Sequence, residues 1–96
     1  MTDITVTPME PGWFGVQVRE GYDTTSHRVH VPDDFALDLG APDAEADVLV
    51  RESFGFLLEK EPATAIRKEF TLPEIGSYFP DYYDELRSRI TAATPG

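Results

Sequence analysis

The stretch that decides the fold is residues 13–31, which read WFGVQVREGYDTTSHRVHV. Apolar and polar residues alternate here with a period of two on both sides of Gly21 and Tyr22, which is typical of two half-buried strands joined by a tight turn. The preceding residues 3–8 alternate in the same way, and a turn at Pro11 and Gly12 separates them from the next strand. The pattern predicts a three-stranded antiparallel meander with one face on a core and the other in solvent.

The apolar period changes to that of helices after residue 32. The longest periodic segment has an apolar arc of about half the circumference, which indicates a helix at the centre of the core. Prolines, glycines and capping residues divide the remainder into shorter helices. We expect a helix at residues 33–39, a central helix at residues 44–60 with Asp43 as its N-cap, and a short helix at residues 63–69. The next helix should begin with a capping box of Thr71 and Glu74 and end at Phe79. The last helix should begin at Pro80.

Strands followed by helices indicate an α+β protein, here a three-stranded antiparallel meander followed by about four helices packed on one face. The length of 96 residues fits one domain. We therefore assign residues 1–96 to a single α+β domain, in which residues 1–2 and 92–96 are expected to be frayed. The residues expected in the core are Phe14, Val16, Val29, Val50, Phe54, Leu57, Phe70, Phe79, Leu86 and Ile90.

The composition excludes several classes of function. The chain has no cysteine, which rules out disulfides, thiol nucleophiles and cysteine-ligated metals. Its formal net charge of −10 repels phosphate backbones and anionic lipids, so neither nucleic acid nor a membrane is an expected partner. The first residues, MTDITVTP, lack the basic and apolar stretches of a signal peptide, and no apolar run is long enough to span a membrane. We expect a cytoplasmic protein.

The second half of the chain carries a resemblance. Residues 51–70 read RESFGFLLEKEPATAIRKEF, and residues 72–86 read LPEIGSYFPDYYDEL. This pattern is similar to the C-terminal part of a family of small uncharacterised bacterial proteins. It covers residues 51–86, under half of the chain. The resemblance implies a shared fold and no particular function.

No catalytic, cofactor-binding or metal-binding residues are predicted. His27 and His30 have a spacing that could chelate a metal on a helix, but on a strand it sends the two rings to opposite faces. His27 shares the core parity of Val29 and is expected to be a core or edge histidine. The chain contains no G-x-S-x-G sequence and no glycine-rich phosphate loop. These observations predict a non-catalytic protein without a cofactor.

The outer face of the sheet is the best candidate for a binding surface. If Phe14, Val16 and Val18 point inward, the alternate residues of that strand point outward, and so do the alternate residues of the partner strand. Tryptophan and arginine are enriched in binding hot spots, and this face combines both with an imidazole. The plain alternative is a solvated face on which arginines balance local carboxylates. The candidate partner-binding residues are Trp13, Gln17, Arg19, Ser26, Arg28 and His30.

A second candidate surface is the acidic segment, residues 33–47, which runs from Asp33 to Asp47 and holds six carboxylates and no base. Such a segment is commonly enriched in acids for solubility, and it can also dock a basic partner. Either surface predicts a protein-interaction module whose partner is another protein. The oligomeric state is left open.

The runner-up function is DNA binding. Residues 27–40, HRVHVPDDFALDLG, followed by residues 47–59, DVLVRESFGFLLE, are similar to a ribbon-helix-helix unit, the dimeric fold of many repressors and antitoxins. The resemblance implies that Ser26, Arg28 and His30 would read the major groove. The first helix is shorter than in that family, and a hairpin occupies the strand edge where the second subunit pairs. The acids that begin the second helix would repel a phosphate there.

Overall fold

The alternation in the first half of the chain produces three antiparallel strands in the computed structural model, which describes residues 2–93. The first strand pairs with the second, and the second pairs with the third, both in the antiparallel sense. Gly12 and Gly21 have φ angles of 81° and 64° in the two connecting turns. Glycine adopts this left-handed backbone without the steric cost that other residues bear. The strands are β1 at Thr2–Pro8, β2 at Trp13–Glu20 and β3 at Asp23–His30.

A fourth strand, β4 at Glu69–Thr71, corrects the prediction of a three-stranded meander. It runs parallel to β3, so the sheet is mixed and its order is β1-β2-β3-β4. The prediction of a helix at residues 63–69 was wrong, because a single 3-10 turn at Ala63–Ala65 is followed by extended chain. Arg28 donates its backbone N–H to the carbonyl of Lys68 at 2.7 Å. Pairing with the second edge of β3 satisfies backbone groups that would otherwise remain unpaired, and this tertiary interaction overrides the local helical pattern.

In the described part of the chain, four α-helices follow the sheet or connect its last two strands. As predicted, the longest one is central, and its buried apolar residues are Leu49, Val50, Phe54, Phe56 and Leu57. Every helix among residues 2–93 lacks the length and apolar character that crossing a membrane requires. The helices are α1 at Phe35–Leu39, α2 at Ala46–Lys60, α3 at Leu72–Tyr78 and α4 at Tyr82–Ala93.

The predicted helix caps differ from those observed. The N-cap of α2 is Glu45 rather than Asp43, and it makes no side-chain capping bond. Thr71 is the N-cap of α3, as expected, but its side chain makes no capping bond either. Glu74 pairs with Arg67 at 3.3 Å, so its carboxylate does not serve as the second half of a capping box. The stop of α3 at Phe79 agrees with the prediction.

The core lies between the inner face of the sheet and the helices. Eight of the ten predicted core residues are buried; Phe14 and Phe79 are half-buried and pack against the core. The prediction left out Phe35 and Tyr82, which are almost completely buried. Tyr82 lies at the first turn of α4 and stacks near Phe35, with ring centroids 6.5 Å apart.

The hydroxyl of Tyr82 is satisfied inside the core by Ser53 of α2. Ser53 Oγ donates to the carbonyl of Leu49 at 2.7 Å and lies 2.6 Å from the Tyr82 hydroxyl. Because serine has one hydroxyl proton, and it is used on Leu49, Tyr82 must donate to Ser53. Burial raises the pKa of Tyr82 far above its usual value, although the hydrogen bond with Ser53 acts in the opposite direction. The phenol is therefore a fixed donor that links α2 to α4.

The ends of the described chain belong to regular elements. Thr2 is the first residue of β1, and residues 92–93 close α4. The other residues expected to be frayed, 1 and 94–96, lie outside the described residues.

Candidate functional site

The outer face of the sheet has the parity that the alternation predicts. Val16, Val18 and Val29 are buried on the inner face. Of the outward candidates, four are exposed and two, Trp13 and His30, are half-buried. The exposed candidates are Gln17, Arg19, Ser26 and Arg28.

Three of the candidates form a contiguous group, which we call the aromatic cluster: Trp13, Arg28 and His30. Trp13 and His30 are cross-strand partners, and their ring centroids are 5.0 Å apart. The guanidinium carbon of Arg28 lies 5.1 Å from the centroid of the Trp13 ring, which is within the range of a cation–π contact. Arg28 also forms ion pairs with Glu10 at 3.8 Å and with Glu69 at 3.5 Å. The cluster is therefore an aromatic surface with a cation held between two carboxylates.

The other three candidates do not join the aromatic cluster. Gln17 and Ser26 are cross-strand partners in the middle of the sheet. Arg19 lies six residues from Trp13 along β2, a separation of about 20 Å at the usual rise of a strand. Arg19 therefore belongs to the opposite end of the face, where its cross-strand neighbours are Asp3 and Thr24.

Met9 is a surface residue beside the cluster that the sequence did not single out. Its side chain is 54% exposed, and its sulfur lies 3.2 Å from the position that a Cβ of Gly15 would occupy. Gly15 is the cross-strand partner of Arg28, so Met9 covers the outer face next to the aromatic cluster. Met9 lies in the turn, where alternation gives no prediction. The available signal was Gly15, because a glycine inside a strand often marks a close approach.

The acidic segment begins at the same end of the sheet as the aromatic cluster. Asp33 lies three residues beyond His30 in the chain. The backbone N–H of Val31, between them, donates to the carbonyl of Gly12 at 2.7 Å, which ties the start of the segment to the turn that precedes Trp13. Across residues 2–93, none of the six carboxylates of the segment forms an ion pair. Their charges are therefore uncompensated by direct contact.

The two histidines lie on opposite faces of the sheet, as the strand period predicts. His27 is buried, its Nδ1 lies 2.8 Å from the carbonyl of Arg67, and its Nε2 lies 2.9 Å from the hydroxyl of Thr25. Burial lowers the pKa of His27, while the hydrogen bond to the Arg67 backbone acts against it. His27 is thus a neutral core residue. The described part of the chain contains no group of three or more His, Asp or Glu side chains that could hold a metal ion.

An apolar groove of about 300 Å³ lies among α2, α3, β4 and the Ala63–Ala65 turn. The ion pair of Arg67 and Glu74 stands at its rim. This groove is not apparent from the sequence, because Phe70 and Phe79 are expected in the core, whereas both also line the groove. Its remaining apolar lining comes from Leu57, Ala65, Ile66, Ile75 and Tyr78.

Comparisons with protein-family models, with curated proteins and with solved structures find no match to this chain. Its function has to be inferred from the chemistry of the surfaces described above.

Proposed function

We propose that the protein is a non-catalytic protein-interaction module that binds a basic protein surface through the aromatic cluster. The observation that carries the proposal is the contact of Arg28 with the Trp13 ring at 5.1 Å beside His30. Tryptophan and arginine in such a group supply much of the binding energy in known interfaces. All three side chains stand on paired strands, so their backbone is already ordered before a partner arrives, which lowers the entropic cost of binding.

The charges around the cluster favour a basic partner. Glu10 and Glu69 flank Arg28, and their side chains are 70% and 59% exposed. Asp33 and Asp34 begin the acidic segment at the same end of the sheet. With a net charge of −10 over the whole chain, a cationic surface is attracted at long range and an anionic one is repelled. The two candidate surfaces then act together: the acidic segment steers the partner, and the aromatic cluster anchors it.

The alternative, a ribbon-helix-helix DNA-binding regulator or antitoxin, receives less support. In that fold two subunits pair their strands, whereas β3 is paired with β2 on one edge and with β4 on the other. The first helix, α1, has five residues. Arg28, the cation that would contact a phosphate, already has two carboxylate partners.

The proposal is tested by affinity capture from a lysate of the source cell with three immobilised proteins: the wild type, Trp13→Ala and Tyr22→Ala. Tyr22 is a matched control, because it is fully exposed and lies in the turn at the opposite end of the sheet. We expect a basic protein to be retained by the wild type and by Tyr22→Ala. Its affinity for Trp13→Ala should be lower by about 2 kcal/mol or more, a factor of roughly 30, once the purified pair is titrated.

Salt and a DNA probe complete the test. Neutral substitutions at Asp33 and Asp34 should slow association, and added salt should mimic them, because both remove the steering charge. Equal retention by Trp13→Ala and the wild type would refute the proposed surface. Binding of duplex DNA at physiological salt that is lost in Arg28→Ala would support the DNA-binding alternative instead.

A further inference from the structure

Within residues 2–93, the outer edge of β1 has no neighbouring strand. The sheet order places β1 and β4 at the two edges; β4 has three residues and β1 has seven. The N–H of Met9 donates to the carbonyl of Trp13 at 3.0 Å, which fixes which residues of β1 bond to β2. In an antiparallel pair, successive residues alternate between bonding to the partner strand and pointing away from it. The backbone N–H and C=O groups of Asp3, Thr5 and Thr7 therefore face β2. The backbone groups of Thr2, Ile4, Val6 and Pro8 therefore point away from the sheet.

This edge has little of the protection that exposed edges usually carry. Native sheets blunt their edges with several charges, bulges or very short strands. β1 has a single charged residue, Asp3, and its one proline stands at the end of the strand. Pro8 is opposite Phe14 in a pair without mutual hydrogen bonds, so its backbone faces the open edge. Because proline has no N–H, the open edge of β1 lacks one donor, at the last residue of the strand.

The sequence of β1 is complementary to itself in one register. A second copy placed antiparallel, with Thr5 on the two-fold axis, pairs all seven residues of the strand. In this register Ile4 of one copy and Val6 of the other exchange both of their backbone hydrogen bonds, and Thr2 donates to Pro8. Ile4 and Val6, which are half-buried on the inner face, would extend the apolar layer across the axis.

We propose that the β1 edge is a homodimer interface, through which two copies of this chain form one continuous eight-stranded sheet. The interface is isologous, as closed two-fold dimers require. On the outer face Thr5 meets its own equivalent, and threonine pairs of this kind stabilise antiparallel strands.

The near absence of charge on β1 itself favours a second copy over a basic extended peptide as the occupant of this edge. The proposed register places Asp3 opposite Thr7, so no two carboxylates meet across the axis. A basic peptide would find Asp3 as the one carboxylate on the strand itself. The aromatic cluster takes no part in the dimer, so this proposal stands or falls separately from the proposed function.

The test is the oligomeric state of the full chain in sedimentation velocity over a concentration series. The variants are Thr5→Asp and Thr5→Lys, each of which places like charges directly opposite each other on the two-fold axis. Thr24→Asp is the control, because Thr24 is exposed on the same face but lies on β3. We expect the wild type and the control to dimerise equally. Each Thr5 variant should dimerise about fivefold or more weakly.

An equimolar mixture of Thr5→Asp and Thr5→Lys provides the decisive arm. Opposite charges then meet across the axis, and dimerisation should return to the wild-type level or exceed it. Hydrogen exchange gives a measurement that needs no variant: the amides of Ile4 and Val6 should exchange more slowly as the wild-type concentration rises. A monomeric wild type at every concentration, a dimer unaffected by either Thr5 variant, or a mixture that stays monomeric would overturn the proposal.

Discussion

The buried hydrogen bond between Tyr82 and Ser53 supports a quantitative prediction about the stability of the core. Tyr82 and Ser53 are both 0% exposed, so neither hydroxyl can turn to water when its partner is removed. Ser53→Ala leaves the phenol as a buried donor without an acceptor, which should cost about 1–3 kcal/mol of the free energy of unfolding. Tyr82→Phe removes the phenol but leaves Ser53 bonded to Leu49 at 2.7 Å, so it should cost about 0.5–1.5 kcal/mol.

The double variant distinguishes this hydrogen bond from simple packing. When both hydroxyls are absent, no buried donor is left unpaired, so the double variant should be no less stable than Ser53→Ala alone. The two single costs therefore exceed the double cost by about 1 kcal/mol. Urea denaturation monitored by circular dichroism measures all three, with Tyr22→Phe as an exposed control that should be neutral. Additivity within about 0.5 kcal/mol would refute the assigned donor and acceptor.

Three further predictions concern the same core and its boundaries. Phe54→Ala removes a fully buried ring that contacts His27 and Phe70, and urea denaturation should show a loss of about 3–5 kcal/mol; an unchanged midpoint would contradict the observed core. Burial holds the pKa of His27 below its ordinary 6.5, so the unfolded chain gains a proton first as the pH falls. The free energy of unfolding should therefore decrease as the pH falls through about 6.5, and His27→Gln should remove part of that decrease. Thr71→Ala should cost less than about 0.5 kcal/mol, because Thr71 makes no capping bond; a loss near 1 kcal/mol in the same assay would indicate a functional cap.

The strands and the central helix could be predicted from the sequence because their patterns are local. The alternation of residues 13–31 depends only on which face is buried, and the structure places Val16, Val18 and Val29 inward. The wide apolar arc of α2 likewise requires burial on most sides, and Phe54 and Phe56 are both buried.

The features that the sequence did not predict depend on contacts between distant residues. β4 forms because Arg28 offers a backbone donor to Lys68, forty residues further along the chain, and no periodicity within residues 63–71 records that donor. The aromatic cluster could be predicted only as a shared face. The strand register pairs Trp13 with His30 and places Arg19 far from both. The carboxylates of Glu10 and Glu69 hold the Arg28 side chain.

The short parallel strand β4 also has a consequence for the order in which the protein folds. The hairpins of β1, β2 and β3 join neighbours in the chain, whereas β4 must return across nearly forty residues to reach His30. Closing that loop costs chain entropy, and the three paired residues of β4 offset little of this cost. β4 should therefore pair with β3 late in folding and separate from it first in unfolding. In native-state hydrogen exchange, the amide of Arg28, which bonds to Lys68, should open without global unfolding. The amide of Val29, which lies in the β2–β3 ladder opposite Phe14, should exchange only with the whole domain.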